Sequence, residues 1–177
     1  MAEDRKLKIL SALSLTESQV EKIKAVDPRI ELHWYGRKDV TRVPAELWRE
    51  AEILLTSLIA LPPAEQTPAL KWVQFYFAGV DKAFQQDIFQ RGGVQLTSAS
   101  GTMVSQMGEY VMMTLLMLGH KALEMFRFQQ QKVWHEHRVE KLEPIELRGS
   151  TVGIVGYGSI GREVARLLGI AGENPDA

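Results

Sequence analysis

Three glycines near residue 160 have a spacing that binds phosphate groups in many proteins. Gly156, Gly158 and Gly161 form a G-x-G-x-x-G turn between an apolar segment, 151–155, and a segment with the pattern of a helix. In such a turn the first glycine allows a tight bend, the second lets the backbone approach a pyrophosphate, and the third lets helix and strand pack closely. The spacing and its flanking segments predict a dinucleotide-binding turn at the end of a buried strand.

The turn would bind its ligand through the backbone. A helix that begins just after Gly158 places the N–H groups of Ser159 and Ile160 at its positive end, where they can donate to phosphate oxygens. The alternative is a glycine-rich connection between strand and helix that binds nothing. The strand pattern before the glycines and the helix pattern after them favour the dinucleotide turn.

A complete Rossmann half needs a second strand, which ends in an acidic residue about 20 positions beyond the glycines and binds the ribose. The printed sequence ends sixteen residues after Gly161. Glu173 and Asp176 are acidic, but glycines and a proline interrupt the residues around them, which is not typical of a strand. We therefore expect an incomplete Rossmann domain in these residues, and weak binding of a dinucleotide.

Composition excludes several classes of protein. The chain has 45% hydrophobic and 24% charged residues, a formal net charge of −1 and no cysteine. These values indicate a globular protein without disulfides or thiolate metal sites, and without the basic surface of a nucleic-acid-binding protein. The longest apolar stretch, 111–119, is shorter than a bilayer span, and no secretory signal pattern is present. We expect a soluble, cytoplasmic protein with no membrane partner.

The first hundred residues alternate strand-like and helix-like segments. Thr16 and Gln19 have the spacing of a capping box, and Pro44 stands where the first residue of a second helix is expected. Alternation of this kind predicts an α/β fold with a parallel sheet, of flavodoxin-like type. The predicted strands are residues 7–13, 30–34, 53–57, 72–77 and 94–98.

Residues 104–134 contain no proline and carry apolar residues at helical spacing. The pattern predicts one long helix of about 45 Å. A core or interdomain helix is one interpretation, and a dimerisation surface is another, because apolar residues lie nearly all round the helix. Both roles are compatible. We expect a homodimer through 104–134, with 150–168 either exchanged between subunits or mobile.

The order of these parts resembles the D-isomer-specific 2-hydroxyacid dehydrogenase family, including its glyoxylate/hydroxypyruvate reductases. Besides the glycine turn, Phe-Ala-Gly-Val-Asp at 77–81 is similar to the family's substrate loop, and Met-Gly-Glu-Tyr at 107–110 is similar to the start of its interdomain helix. The resemblance implies three parts. They are a flavodoxin-like substrate-binding domain (1–103), a long interdomain helix and linker (104–148), and the first strand, turn and helix of a Rossmann domain (149–177).

The resemblance also implies a function. Members of the family transfer hydride between NAD or NADP and a small 2-hydroxy or 2-oxo acid. By this likeness, the backbone N–H groups of Ala78, Gly79 and Val80 would bind the substrate carboxylate. The family's catalytic arginine, glutamate and histidine have no counterpart in these residues, so no catalytic residue is assigned. Met103 stands where relatives often carry a polar residue near the substrate, which makes the substrate uncertain.

Two functions remain open at this point. The first is the oxidoreductase itself, of which these residues hold the binding half and are inactive alone. The second is a non-catalytic product that dimerises or associates with a full-length relative. The histidines do not indicate a metal site. His135 and His137 are two residues apart, which does not place them on one face of a helix, and no further ligand lies nearby in sequence. We expect both to be solvated surface residues. His120 is expected to be partly buried, and His33 lies on a predicted strand with no partner visible in the sequence.

Overall fold

The structure is a computed structural model that describes residues 5–57 and 61–169. The chain divides into two compact units between Ser100 and Gly101. The predictions about Glu173, Asp176 and the tail around them lie outside the described residues.

The first unit is built on a five-stranded parallel sheet. The strand order is β2-β1-β3-β4-β5, with every neighbouring pair parallel. This is the flavodoxin-like order, in which the chain reverses direction across the sheet between β1 and β3. The predicted α/β class and parallel sheet are confirmed. The strands are β1 (Leu7–Ser11), β2 (Ile30–Trp34), β3 (Ile53–Thr56), β4 (Trp72–Phe75) and β5 (Gln95–Thr97).

Short helices connect these strands. The capping box of the first helix is present: the Gln19 N–H donates to Thr16 Oγ1 at 3.3 Å, and the Thr16 N–H donates to Gln19 Oε1 at 2.9 Å. Pro44 is the N-cap of the second helix, whereas the sequence predicted it as the first residue of that helix. The helices are α1 (Glu17–Lys24), α2 (Ala45–Glu50) and α3 (Asp87–Gln90), with 3-10 turns at Val40–Arg42, Ala64–Gln66 and Ala83–Gln85.

Alternate residues of the strands build a core on each face of the sheet. Leu54, Val73 and Phe75 are fully buried on the face that α2 covers, together with Trp48 of that helix. The opposite face is smaller and packs against Val20 of α1. Because side chains alternate along a strand, β1 and β3 each supply residues to both cores.

An ion-pair cluster joins the amino ends of β1, β3 and β4. The Glu52 carboxylate, whose side chain is 9% exposed, accepts a hydrogen bond from Lys71 Nζ at 2.6 Å and another from the Arg5 guanidinium. These two donors, Lys71 first, hold the pKa of Glu52 below its ordinary value. The cluster fixes three strand ends at one edge of the sheet.

Lowering the pH should reduce the free energy of unfolding of the first unit, partly through protonation of Glu52. A carboxyl whose pKa is lower in the folded state stabilises the fold above its unfolded pKa, and this contribution is lost as the pH falls through the folded pKa. Glu52→Gln should lower the free energy of unfolding near pH 7 by about 1 kcal/mol, allowing for the exposure of its partners, and should flatten the acid limb of stability. Urea denaturation against pH is the measurement. Glu50→Gln, at the exposed pair with Lys8, is the control and should change little.

Residues 101–169 contain four helices, and the prediction of a single helix over 104–134 is wrong. The helix breaks at His120, and Lys121 adopts a left-handed backbone conformation with φ of 54°. The carbonyl of Gly119 accepts a hydrogen bond from the Ile145 N–H at 2.8 Å. In a longer helix, this carbonyl would instead accept from an N–H four residues further along the same helix. His120 is exposed at the break, not partly buried as predicted. The helices are α4 (Val104–Gly119), α5 (Ala122–Gln131), α6 (Arg138–Lys141) and α7 (Ser159–Leu167).

Residues 151–155 do not form the predicted strand. They pair with no strand in the described part of the chain, and Val155 is fully exposed. An extended segment becomes a strand only when a neighbour satisfies its backbone groups. The helix after the turn is packed nonetheless: α7 lies against α4 of the same chain, where a Cβ on Gly108 would be 2.9 Å from side-chain atoms of Glu163 and Leu167. Exchange of α7 between subunits is therefore not needed to bury its apolar face.

Candidate phosphate-binding turn and substrate loop

The glycine turn leads directly into α7. Gly158 is the N-cap residue, and the first hydrogen bond of the helix runs from the Arg162 N–H to the Gly158 carbonyl at 3.0 Å. The N–H groups of Ser159, Ile160 and Gly161 come before that bond and have no partner within the helix. Backbone donors at the positive end of a helix form an anion-binding site. The turn therefore presents the backbone donors that phosphate binding requires.

The fold of the turn itself requires two of its three glycines. Gly156 has φ of 91°, a left-handed conformation that other residues rarely adopt. A Cβ on Gly161 would lie 2.3 Å from the Gly156 carbonyl oxygen, so packing of the turn excludes any side chain there. Gly158 has φ of −79° and ψ of −158°, and no described heavy atom outside its immediate neighbours lies within 4 Å of an added Cβ. Nothing in the described chain demands a glycine at 158, whereas close approach of a pyrophosphate does.

Arg162 lies in α7 directly after the third glycine and was not singled out from the sequence. Its guanidinium donates to the Tyr157 carbonyl oxygen at 3.3 Å, which holds a positive charge beside the glycines. A guanidinium near the N-terminus of a helix favours a phosphate ligand. Its position directly after the third glycine was the only sign of this in the sequence.

The predicted substrate loop follows β4 at the carboxyl edge of the sheet. The Tyr76 N–H donates to the Thr56 carbonyl at 3.0 Å, and the Ala99 N–H donates to the Phe77 carbonyl at 3.1 Å, so the start of the loop is fixed to both neighbouring strands. The Val80 carbonyl accepts from the Ala83 N–H at 2.8 Å and fixes its end. In open α/β sheets, ligands bind at the carboxyl ends of the strands.

The middle of this loop presents backbone donors. Ala78 and Gly79 are exposed, and Val80 is half-buried. Their N–H groups make no hydrogen bond to any residue in 5–57 or 61–169. Three successive free N–H groups on a loop fixed at both ends can converge on one carboxylate. The loop therefore has the donors that carboxylate binding requires.

Ser57 lies at the same edge of the sheet and was not singled out from the sequence. It follows β3, and its hydroxyl is buried without a hydrogen bond to the described residues. A polar residue directly after an apolar strand was the available signal. The glycine turn belongs to the second unit, whereas Ser57 and the loop 77–81 belong to the first.

The histidines have local contacts within their own units. His33 has a partner that the sequence did not reveal: its Nε2 is 2.9 Å from Glu31 Oε1. His135 stacks on Phe128 with ring centroids 5.5 Å apart. Within the ranges that the structure describes, no group of three or more His, Asp or Glu residues could hold a metal ion, and no helix is long and apolar enough to cross a membrane.

Comparison with known proteins identifies the family. The family model described as D-isomer specific 2-hydroxyacid dehydrogenase, NAD binding domain, matches residues 112–174. The chain is 36% identical over 120 residues to glyoxylate/hydroxypyruvate reductase A of Yersinia enterocolitica, covering 63% of this chain and 37% of that protein. It is 27% identical over 142 residues to a glyoxylate reductase of Thermococcus onnurineus, covering 75% of this chain and 42% of that protein.

Solved structures give the same result for the fold. A D-lactate dehydrogenase of Treponema pallidum superimposes with a TM-score of 0.66 and 25% identity, over 92% of this chain and 50% of that one. An NADPH-dependent glyoxylate/hydroxypyruvate reductase of Sinorhizobium meliloti, solved with NADP and malonate, superimposes with a TM-score of 0.59 and 21% identity, over 96% and 51%. The chain belongs to the D-isomer specific 2-hydroxyacid dehydrogenase family. It spans about 40% of the length of these two curated relatives and about half of the two solved structures.

Proposed function

We propose that these residues supply the phosphate-binding turn and the carboxylate-binding loop of an NAD- or NADP-dependent oxidoreductase that acts on a small 2-hydroxy or 2-oxo acid. The observation that carries the proposal is the turn at the N-terminus of α7. The N–H groups of Ser159, Ile160 and Gly161 have no partner within the helix, and they follow Gly158, a glycine that no described contact and no backbone angle requires. The names of the relatives, glyoxylate and hydroxypyruvate reductases, support the substrate class. In this proposal 1–103 form the substrate-binding domain, 104–148 connect the domains, and 149–177 begin the cofactor domain.

Each part has a distinct task in this proposal. The bound nicotinamide supplies hydride exchange at C2 of the acid. The N–H groups of Ser159, Ile160 and Gly161 hold the pyrophosphate of the dinucleotide, and the guanidinium of Arg162 adds charge at the rim. The N–H groups of 78–80 hold the substrate carboxylate and so set the orientation of C2. These are positioning tasks, and none of them transfers a proton.

Turnover also needs an acid–base group and a cation beside the reacting carbon. The family's arginine, glutamate and histidine have no counterpart in residues 1–177. We therefore propose that these residues alone bind ligand weakly and do not oxidise NADH in the presence of glyoxylate or hydroxypyruvate. The second candidate, a non-catalytic partner of a full-length relative, is favoured by one observation, the exposed apolar side chains of α4 and α5.

Nuclear magnetic resonance titration with NADH and with NADPH tests the turn directly. We expect amide shifts at Ser159, Ile160 and Gly161 with weak affinity, because the turn alone cannot bury most of a dinucleotide. Gly158→Val should abolish these shifts without lowering the melting temperature, since its Cβ branches enter the space reserved for ligand. Gly153→Val is the matched control, as an added Cβ there also meets nothing within 4 Å. It should leave the shifts intact.

Three results would count against the proposal. Shifts that survive Gly158→Val would show that the dinucleotide binds elsewhere. A complete absence of shifts at saturating dinucleotide would remove the phosphate cradle. Steady loss of NADH absorbance with glyoxylate, abolished by Gly158→Val, would show that the chemistry lies within these residues after all.

A further inference from the structure

A groove on the first unit is separate from both features described above. It runs between α2 and the 3-10 turn Ala64–Gln66, on the face of the sheet that carries the larger core, and has a volume of about 700 Å³. Pockets that bind small molecules have volumes of roughly 300–1,000 Å³. The groove is therefore large enough for a metabolite.

The wall of the groove formed by Ala64–Gln66 is held in place by hydrogen bonds from α3 and the residue after it. Arg91 donates to the Ala64 and Thr67 carbonyls, each at 2.7 Å, and the Ala64 N–H donates to Asp87 Oδ2 at 3.0 Å. Because these hydrogen bonds within the protein hold the turn in place, this wall of the groove does not need a ligand in order to form. A preformed site loses little entropy when it binds.

The floor of the groove is apolar. Val43 and Trp48 line it and are nearly buried, and Leu61 and Pro62 line its side. An indole ring bordered by aliphatic side chains binds an aromatic or aliphatic group of a ligand through the hydrophobic effect. The ligand therefore needs an apolar body.

The two walls carry opposite charges that form no ion pair with the described residues. Arg49 belongs to α2 and Glu65 to the facing turn; both are exposed and both line the groove. Neither makes an ion pair or a side-chain hydrogen bond with the residues of 5–57 and 61–169. Other charged side chains of the first unit are paired, as Lys8 is with Glu50 and Glu52 with Lys71. A free cation and a free anion above an apolar floor match a ligand that carries both charges.

We propose that the groove binds a zwitterionic amino acid with an apolar side chain. The α-carboxylate pairs with the Arg49 guanidinium, the α-ammonium pairs with the Glu65 carboxylate, and the side chain lies on Val43 and Trp48. A simple carboxylic acid leaves Glu65 unpaired, and a simple amine leaves Arg49 unpaired. The two charges thus make the site selective for the zwitterion. This site is independent of the dinucleotide turn.

The experiment compares three ligands of one shape on the 177-residue chain. L-Phenylalanine carries both charges, 3-phenylpropionate lacks the ammonium group, and phenethylamine lacks the carboxylate. Kd is measured from the indole N–H resonance of Trp48, assigned with Trp48→Phe. We expect L-phenylalanine to shift this resonance with saturation, and each analogue to bind about threefold to tenfold more weakly, as loss of one charged hydrogen bond at a partly exposed site predicts.

Two charge variants complete the test. Arg49→Gln and Glu65→Gln should each weaken L-phenylalanine, and each should erase the advantage of L-phenylalanine over the analogue that lacks the matching charge. Glu46→Gln, an exposed position of α2 outside the groove, is the control and should bind as the parent does. Surface changes of this kind leave the fold intact, which the melting temperature verifies. No saturable shift with L-phenylalanine, or equal affinity for an analogue, overturns the proposal.

Discussion

Replacing Gly161 with alanine should destabilise the second unit more than any other single-methyl change in the glycine turn. The added Cβ would lie 2.3 Å from the backbone oxygen of Gly156. A backbone atom cannot move aside as a flexible side chain can, so the turn must open or α7 must shift from α4. We expect a loss of about 3 kcal/mol in the free energy of unfolding, at the upper end of the cost of overpacking. Urea denaturation followed by circular dichroism measures it.

The same change at Gly158 provides the control, because it lies three residues away in the same turn. Its Cβ enters open space and its backbone angles suit any residue. Gly158→Ala should therefore leave the stability of the unit within about 0.5 kcal/mol of the parent protein. Equal destabilisation by both variants would mean that the turn is strained as a whole, and the separate tasks assigned to the two glycines would be wrong.

The first unit could be predicted from sequence because its signals are local. The capping box of Thr16 and Gln19 is visible as two residue types three positions apart, and it is present in the structure. Strand β2 begins and ends at the predicted residues, Ile30 and Trp34. Other strands are shorter than predicted at one or both ends, since the pattern of residue types continues beyond the last paired neighbour, as it does at Leu13 and Phe77.

The second unit departs from prediction where distant residues decide the outcome. The helix ends at Gly119 because the backbone of Ile145, far along the chain, binds the carbonyl at that point. Helical spacing of apolar residues continues through the break and gives no sign of it. Residues 151–155 have the composition of a strand but no neighbouring strand in the described chain, and composition does not reveal whether a neighbour exists.

The candidate sites divide in the same way. The roles of Gly156 and Gly161 follow from spacing alone, and the structure gives each a steric reason. Arg162 and Ser57 had only weak signals in the sequence, because the role of Arg162 depends on a contact across the turn and that of Ser57 on burial without a partner among the described residues. The groove that Arg49 and Glu65 line could not be predicted from the sequence either. Its two walls come from different connections, one between β2 and β3 and the other between β3 and β4.

The other large expected effect concerns self-association. Tyr110 and Met113 lie three residues apart on α4, are 57% and 48% exposed, and face away from Gly108, where α7 packs. Exposed apolar side chains continue through α5, including Leu123 and Phe126. A monomer seldom exposes a continuous apolar surface of this kind, and a two-fold dimer is the commonest way to cover it. We propose a homodimer through α4 and α5.

The double variant Tyr110→Glu, Met113→Glu should convert that dimer to a monomer. Four charges, two from each subunit, would enter an apolar interface without partners, which should raise the dissociation constant by about a hundredfold or more. Sedimentation velocity at several protein concentrations measures the change. Val26→Glu, at an apolar side chain of the first unit that is 79% exposed, is the matched control and should remain dimeric. If the parent chain sediments as a monomer at every concentration, the apolar surface of α4 and α5 is tolerated in water and the proposed interface is wrong. If the double variant stays dimeric, the subunits associate through another surface, since the outward face of α4 could not bury these charges unpaired.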